Sequence, residues 1–203
     1  ECTARIFEKF VGMCRERDIT DVDKLNEQGK VSPDTIKKLP TYHAVIFMRN
    51  ETGRINLYKL VSQSHLKYYH RRPRVPKSVL EKYREGLLVG SACEAGELYQ
   101  AILNEKSEER IAKIVNFYDY LEIQPLGNNQ FMIESPKITK VQNEEDLKEI
   151  NRKIVKLGEQ FKKPVVATCD VHFMDPDSEV YRRIIMTGKG FSDADSQPPL
   201  YLR

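Results

Sequence analysis

The sequence has few cysteines, and none of them forms a Cys-x-x-Cys pair. The four are Cys2, Cys14, Cys93 and Cys169. This spacing indicates neither a zinc knuckle nor a disulfide framework, so we expect reduced thiols. The sequence also has no apolar run near the roughly 18 residues that a membrane helix needs, and no secretory signal pattern. These absences favour a cytoplasmic protein without a membrane partner.

A strong excess of charge of one sign is also absent. Lys and Arg total 33 and Asp and Glu total 30, which gives a net charge of +3. That charge is too small to indicate nucleic-acid binding by itself. The 203 residues suffice for one sizeable domain. The first residue is not Met, and an amphipathic helix is already under way at Thr3, so we expect a segment of a longer protein.

Apolar periodicity divides the sequence into three parts. Between Thr3 and Arg17, apolar residues recur every three or four positions, which predicts an amphipathic helix. Residues 18–40 are polar and predict a linker with one short helix, which Ser32 and Pro33 begin. After residue 40, short apolar strands alternate with helices. The predicted strands cover residues 42–49, 87–91, 120–124 and 164–169.

This alternation predicts the fold class. Strands separated by helices are typical of a mostly parallel α/β arrangement. Four predicted strands are about half of the eight that close a (β/α)8 barrel. Either the sheet is open, or further strands lie upstream of Glu1.

The last predicted strand ends in two side chains with metal-binding chemistry. Asp170 and His172 follow the apolar run 164–169, and ligands of α/β folds bind at the carboxyl ends of strands. In an extended chain, residues i and i+2 point to the same side, so both side chains can reach one ion. Such a carboxylate–imidazole set suits zinc, manganese or iron. A solvated surface pair after a core strand explains the pattern equally well.

A basic segment follows a helix that the apolar pattern predicts from Arg54 toward Tyr69. Its cationic residues are Lys67, Arg71, Arg72, Arg74 and Lys77. Pro73 and Pro76 forbid a continuous helix there, and Tyr68 and Tyr69 lie beside the charges. The segment is a candidate nucleic-acid-binding loop that holds phosphate by charge and bases by stacking. The alternative is a solvated rim that docks a neighbouring domain.

Several sequence motifs together resemble one family. They are Tyr42–Ala44, Arg54–Ser62, Arg74–Ser78, Glu85–Cys93 and Val166–Phe173. In this order and spacing, over about residues 40–203, they resemble the PHP (polymerase and histidinol phosphatase) domain of PolC-type DNA polymerase III α subunits. The resemblance implies an α/β fold that forms part of a distorted (β/α)7 barrel, with a metal cluster at its strand ends and a short helical segment before it.

The resemblance also implies a domain organisation, because an exonuclease interrupts the PHP sequence in that family. Residues 1–20 then correspond to the last helix of the inserted DEDD-type exonuclease. Residues 21–40 are a linker with one short helix, and residues 41–203 are the C-terminal portion of the PHP domain.

Four residues match the metal-binding pattern of the family: His43, Cys93, Asp170 and His172. The resemblance implies zinc or manganese at this PHP site and magnesium at the polymerase site of the parent protein. Cys93 has an alternative interpretation as a small buried apolar residue. The early His-x-His motif of the family, its Asp-His pair and its intervening Glu have no counterpart in this sequence, and we assign no catalytic residue.

The resemblance implies a function as a segment of a replicative DNA polymerase with 3′–5′ proofreading. The segment would hold domains together and complete a metal site of phosphoesterase type, and we expect it to be inactive alone. Implied partners are DNA, deoxynucleotides, an upstream exonuclease, a downstream polymerase domain and replisome components such as the sliding clamp. The alternatives are a free-standing PHP-type metal-dependent phosphoesterase, which would need its own His-x-His strand, and a metal-free structural scaffold.

Overall fold

The computed structural model describes residues 2–22, 24–25, 33–36, 38–192 and 194–202. The chain divides into two compact units. The first unit contains Glu1–Pro40 and Tyr58–Lys82, and the second contains Thr41–Leu57 and Tyr83–Arg203. No helix among the described residues is both long and apolar enough to cross a membrane.

The first unit begins with a helix that confirms the predicted amphipathic pattern. Helix α1 covers Cys2–Glu16, and Asp18, just beyond its end, has a positive φ of 55°. The Ile19 N–H donates a hydrogen bond to the Cys14 carbonyl (2.9 Å). This bond satisfies an acceptor that the end of the helix would otherwise leave open.

The first unit contains further helical segments among the described residues. Helix α2 covers Pro33–Ile36, and the predicted cap Ser32 lies outside the described residues. Helix α3, Glu51–Leu66, enters this unit at Tyr58, and helix α4 covers Lys77–Lys82. The buried apolar side chains of this unit are Leu60, Tyr68 and Leu80.

The second unit contains the strands and most of the core, and it has a mixed α/β fold with two small sheets among the described residues. Its strands are β1 (Val45–Met48), β2 (Leu87–Gly90), β3 (Leu121–Ile123) and β4 (Val165–Ala167). Its helices beyond α3 are α5 (Glu97–Leu103), α6 (Glu108–Phe117), α7 (Phe131–Glu134), α8 (Glu144–Phe161) and α9 (Glu179–Gly188). Short 3₁₀ turns lie at Leu126–Asn129, Pro176–Ser178 and Ala194–Ser196.

Strand pairing differs in part from the sequence expectation. Strand β1 pairs with β2 in antiparallel fashion, with Val45 opposite Gly90. Strand β3 pairs with β4 in parallel, with Leu121 opposite Val165, and an isolated parallel bridge joins Gly90 to Tyr120. The prediction of mostly parallel strands is therefore confirmed for β3–β4 and wrong for β1–β2. Apolar periodicity identifies a strand but carries no information about its direction.

Helix α8 determines where β4 lies. The Asn143 side chain accepts hydrogen bonds from the N–H groups of Glu145 (2.9 Å) and Asp146 (3.2 Å), and the Asp146 carboxylate accepts one from the Asn143 N–H. This capping box fixes the start of the helix. The buried side chains of the helix, which recur at helical spacing, are Leu147, Ile150, Ile154 and Leu157. Gly158 lies so close to β4 that a Cβ atom there would overlap the Val165 side chain.

Close backbone contact at Gly53, in the first turn of α3, predicts the effect of a substitution. A Cβ atom at this position would overlap the Gly86 carbonyl group. We expect Gly53→Ala to lower the free energy of unfolding by about 2 kcal/mol, because backbone must shift to relieve the overlap. Thermal denaturation followed by circular dichroism measures the change.

The matched control is Gly188→Ala, at the end of α9 in the same unit, where nothing beyond the adjacent residues and the helix's own backbone lies within 4 Å of the added Cβ. We expect the control to leave stability unchanged or to raise it by at most about 1 kcal/mol. Equal midpoints for Gly53→Ala and wild type would contradict the packing described here.

Candidate metal centre at the strand ends

A tight turn after β2 places Cys93. Ser91 is buried at the end of the strand, and Ala92 turns the chain with a positive φ of 58°. The Gly96 N–H then donates to the Cys93 carbonyl (2.8 Å). A Cβ atom on Gly96 would overlap the Ser91 carbonyl, so the turn requires glycine there. Cys93 leaves this turn half-buried, which argues against its interpretation as a core residue.

His43 lies beside Cys93, at the start of the segment that leads into β1. The His43 N–H donates to the Ala95 carbonyl (3.0 Å), which joins this segment to the turn. The His43 Nδ1 atom lies 3.4 Å from the Cys93 Sγ atom. Nitrogen and sulfur ligands of one tetrahedral zinc ion lie about 3.5 Å apart, given the usual bond lengths. The pair therefore has the spacing of two ligands of a single ion.

The Cys93 thiol is protonated at neutral pH in the absence of a metal. Burial raises the pKa of this thiol to about 12, and the negative charges of Glu94 and Asp170 also raise it. Only the thiolate is a metal ligand, so an ion that binds here must displace the proton.

Asp170 and His172 form a second pair, after β4. Asp170 has a positive φ of 49° and is exposed, and the His172 Nδ1 atom lies 2.7 Å from the Asp170 carbonyl oxygen. A carbonyl oxygen only accepts, so Nδ1 carries the proton in this contact, and Nε2 is the nitrogen with an open lone pair. Metal-binding histidines commonly donate one ring N–H to a carbonyl in this way. The His172 N–H donates to the Leu200 carbonyl (2.8 Å), which fixes the backbone at this point.

The structure brings the predicted ligands together as two pairs. His43 and Cys93 are in contact, and Asp170 lies near enough to Cys93 for its charge to raise the pKa of the thiol. Within the described residues, no group of three or more His, Cys, Asp and Glu side chains has the spacing of a metal cluster. A site that uses all four residues stays a prediction.

An acidic residue that the sequence analysis did not single out hydrogen-bonds to both segments that carry these pairs. Glu122, on β3, is only 6% exposed. Its N–H donates to the Ser91 Oγ atom (2.9 Å), and its Oε2 atom accepts from the Thr168 Oγ1 atom (3.0 Å). Burial raises the pKa of Tyr120, and the Glu122 carboxylate raises it further. The available signal was an acidic residue within the apolar run 120–124, which the strand pattern alone does not distinguish from an exposed position.

The predicted basic loop lies in the first unit, and its cationic residues differ in exposure. Lys67, Arg71 and Arg72 are exposed. Arg74 is part-buried, and its Nη1 atom donates to the Leu39 carbonyl (2.8 Å), so it supports the fold of the loop. Lys77 is exposed at the first position of α4.

The two tyrosines beside this loop differ in exposure. Tyr68 is only 9% exposed and belongs to the core, so its predicted stacking role is wrong. Tyr69 is 50% exposed, and its ring stacks on the His65 ring with centroids 6.4 Å apart and an interplanar angle of 27°. One exposed stacked pair therefore lies next to the exposed cations of the loop.

The chain matches the PHP domain family over residues 11–134, which is more than half of its length. It belongs to that family. The DNA polymerase III PolC-type of Clostridium perfringens is 55% identical over 204 residues, covering all of this chain and 14% of that protein. The protein of the same name from Caldanaerobacter subterraneus is 50% identical over 203 residues, which are 100% of this chain and 14% of that protein. The protein of the same name from Bacillus subtilis is 44% identical over 190 residues, which are 94% of this chain and 13% of that protein.

These similarities confirm the resemblance to PolC-type sequences that the motifs predicted. The chain spans about one seventh of the length of these relatives.

The raised pKa of Cys93 predicts its reactivity. At pH 8 we expect iodoacetamide to alkylate Cys93 more slowly than the exposed Cys2, because the thiolate is the nucleophile. The rate at Cys93 should still be increasing above pH 10, since its pKa is about 12. Peptide mass spectrometry measures both rates. Glu94→Gln removes one of the charges that raise this pKa and should speed the reaction, whereas equal rates at Cys93 and Cys2 at pH 8 would contradict the burial of the thiol.

Proposed function

We propose that the chain is a segment of a replicative DNA polymerase of the PolC type, in which it supplies part of a PHP metal site and joins neighbouring domains. The observation that carries the proposal is similarity to such polymerases over the whole chain, combined with a His43–Cys93 pair at ligand spacing. The parent protein is then a DNA-directed DNA polymerase with 3′–5′ exonuclease activity. It works in the cytoplasm on DNA and deoxynucleotides, with partners such as the sliding clamp.

In the proposed organisation, residues 1–20 are the last helix of the inserted exonuclease, residues 21–40 are a linker, and residues 41–203 are the C-terminal portion of the PHP domain. The four short strands then form part of a distorted (β/α)7 barrel. Exposed apolar side chains on β1 support this arrangement, because Phe47 and Met48 are both more than half exposed. Side chains of this kind are expected where further barrel elements pack.

The proposed metal ligands are His43, Cys93, Asp170 and His172. Imidazole, thiolate and carboxylate groups are all ligands of zinc, and imidazole and carboxylate groups are also ligands of manganese. The His43–Cys93 distance and the Nδ1–carbonyl contact of His172 fit such a role. A divalent ion at this position supplies Lewis-acid stabilisation of a phosphate oxygen and activates water. Magnesium, by contrast, serves the polymerase site elsewhere in the parent protein.

Loss of a proposed ligand should remove metal-dependent stability. Zinc at 100 times its dissociation constant raises the free energy of unfolding by about 2.7 kcal/mol. We expect His43→Ala, Cys93→Ser, Asp170→Ala and His172→Ala each to lose most of this gain, while their midpoints with EDTA stay near that of wild type. Differential scanning calorimetry with zinc and with EDTA measures the difference.

The matched control is Cys14→Ser, which changes another part-buried cysteine and should keep the full gain from zinc. Wild-type midpoints that are the same in zinc and in EDTA would contradict the site as a whole.

The segment alone should lack polymerase and exonuclease activity. We assign no catalytic residue to it, since in the proposed organisation the acidic ligands of the catalytic magnesium ions belong to other domains. Primer extension and 3′-end degradation assays with the purified 203-residue chain and magnesium measure both activities. Extension of a primer by this chain would refute the assignment, and hydrolysis of a small phosphate ester would favour the free-standing phosphoesterase.

A second proposed function is nucleic-acid binding by the basic loop. The exposed cations Lys67, Arg71 and Arg72 lie next to the stacked, exposed rings of His65 and Tyr69. Proteins that bind single strands combine cations for phosphate with aromatic faces for bases. Arg74 and Lys77, which also belong to the predicted set, contribute charge from the base of the loop.

The loop proposal predicts a salt-dependent affinity for single-stranded DNA. We expect the triple variant Lys67→Ala, Arg71→Ala, Arg72→Ala to reduce the slope of log K against log salt by about 2, at about 0.7 per lost phosphate contact. Fluorescence anisotropy with a labelled oligonucleotide gives the slope.

The control for this variant is Lys137→Ala, Lys156→Ala, Lys189→Ala, which removes the same charge from exposed sites in the second unit. An equal loss of affinity in both triple variants would show that net charge, and not the loop, binds the DNA.

A further inference from the structure

One residue on β3, Glu122, contacts both segments that carry the candidate ligands: its main-chain N–H reaches one segment and its carboxylate reaches the other. The Glu122 N–H donates to the Ser91 Oγ atom (2.9 Å), and the Glu122 Oε2 atom accepts from the Thr168 Oγ1 atom (3.0 Å). We call this set of three residues the polar bridge. Ser91 and Glu122 are buried and Thr168 is part-buried, so the contacts are protected from competition with water.

The polar bridge lies where both segments leave the sheet. Ser91 stands two residues before Cys93, and Thr168 stands two residues before Asp170. Main-chain hydrogen bonds hold both hydroxyl residues against β3. The Ser91 N–H donates to the Tyr120 carbonyl (3.3 Å), and the Thr168 N–H donates to the Ile123 carbonyl (3.0 Å). Beyond these points the strands no longer fix the chain.

The backbone turns one residue after the polar bridge in the first segment and two residues after it in the second. Ala92 and Asp170 have positive φ angles of 58° and 49°. Residues other than glycine rarely adopt this left-handed backbone conformation. A small rotation at the anchored residue would therefore displace the ligand that follows. The hydroxyl contacts of Ser91 and Thr168 oppose such rotation, because each ties a side chain at the start of a turn to the middle strand.

Stability alone does not explain a carboxylate at this position. The Glu122 Oε1 atom is buried without a partner at ordinary hydrogen-bond geometry among the described residues, and the nearby Tyr120 hydroxyl, whose pKa the carboxylate raises, satisfies it only in part. A buried carboxylate that is only partly satisfied costs folding free energy, and an apolar side chain of similar size avoids that cost. A role in holding the two segments in position therefore explains Glu122 better than a role in packing the core.

We propose that Glu122 is a positioning residue of the metal site, which holds the Cys93 and Asp170 segments at the separation that one ion needs. The inference rests on the proposed metal site and adds to it a residue that contacts no metal. Thr168 is the side chain through which the Glu122 carboxylate acts on the Asp170 segment.

The test compares three variants that change the polar bridge in different ways. Thr168→Val removes the hydroxyl donor and keeps the side-chain shape, Glu122→Leu removes the acceptor, and Glu122→Gln keeps an oxygen that can accept from Thr168. The probe is Co²⁺ added to the 203-residue chain, followed by the absorbance of the thiolate-to-cobalt charge-transfer band. Midpoints of thermal denaturation with EDTA report folding independently.

We expect Thr168→Val and Glu122→Leu to weaken Co²⁺ binding by about 10- to 100-fold, the usual effect of losing a residue that orients a ligand. Glu122→Gln should stay within about threefold of wild type, because the Thr168 contact survives. If Glu122→Leu does not fold, the Co²⁺ affinity of Thr168→Val still shows whether the polar bridge positions the metal site.

Other outcomes overturn the proposal in distinguishable ways. Wild-type affinity in Thr168→Val means that the polar bridge does not position the site, whatever its effect on stability. Loss of binding in Glu122→Gln with full binding in Thr168→Val means that Glu122 is itself a ligand. A wild-type chain without the thiolate charge-transfer band overturns the proposed metal site, and this inference falls with it.

Discussion

The close approach of Gly90 to Tyr120 determines how the two halves of the candidate site meet. A Cβ atom at position 90 would overlap the Tyr120 ring, so any other residue there would require the buried ring to move. The backbones of Gly90 and Tyr120 also form the isolated parallel bridge between the two small sheets. Because β3 also pairs with β4, it is, within the part of the chain that the structure describes, the strand next to both ligand-bearing segments. The positions of Cys93 and Asp170 both depend on it.

The site combines segments of different rigidity. The Cys93 turn is held by Gly96 and by the hydrogen bond from His43 to Ala95. The Asp170–His172 segment is more exposed and relies on the bond from the His172 N–H to the Leu200 carbonyl. Burial and neighbouring acids keep the Cys93 thiol protonated at neutral pH. In the proposed site, a divalent ion would have to replace that proton, and its charge would offset the repulsion among these groups.

The sequence predicted local structure well and tertiary detail poorly. The long helix from Asn143 was predictable because a capping residue, three acids and a regular apolar face agree. The antiparallel pairing of β1 with β2 was not predictable, because the apolar periodicity of a strand does not indicate the direction in which the strand runs. Asp170 and His172 were predictable as candidate ligands from their spacing after an apolar strand, and His43 and Cys93 from the family resemblance. The burial of Tyr68 and Glu122 does not follow from the local sequence pattern. The contact between His172 and Leu200 likewise has no local signal.

In the proposed site, strand ends of the second unit bring a thiolate and an imidazole to one divalent ion. X-ray absorption spectroscopy at the zinc edge of the zinc-loaded chain identifies the atoms bound to that ion. We expect one sulfur neighbour at about 2.3 Å together with nitrogen or oxygen neighbours at about 2.0 Å, including the multiple-scattering signature of imidazole. A spectrum with oxygen neighbours alone would contradict the proposed site, because neither Cys93 nor His43 would then bind the ion.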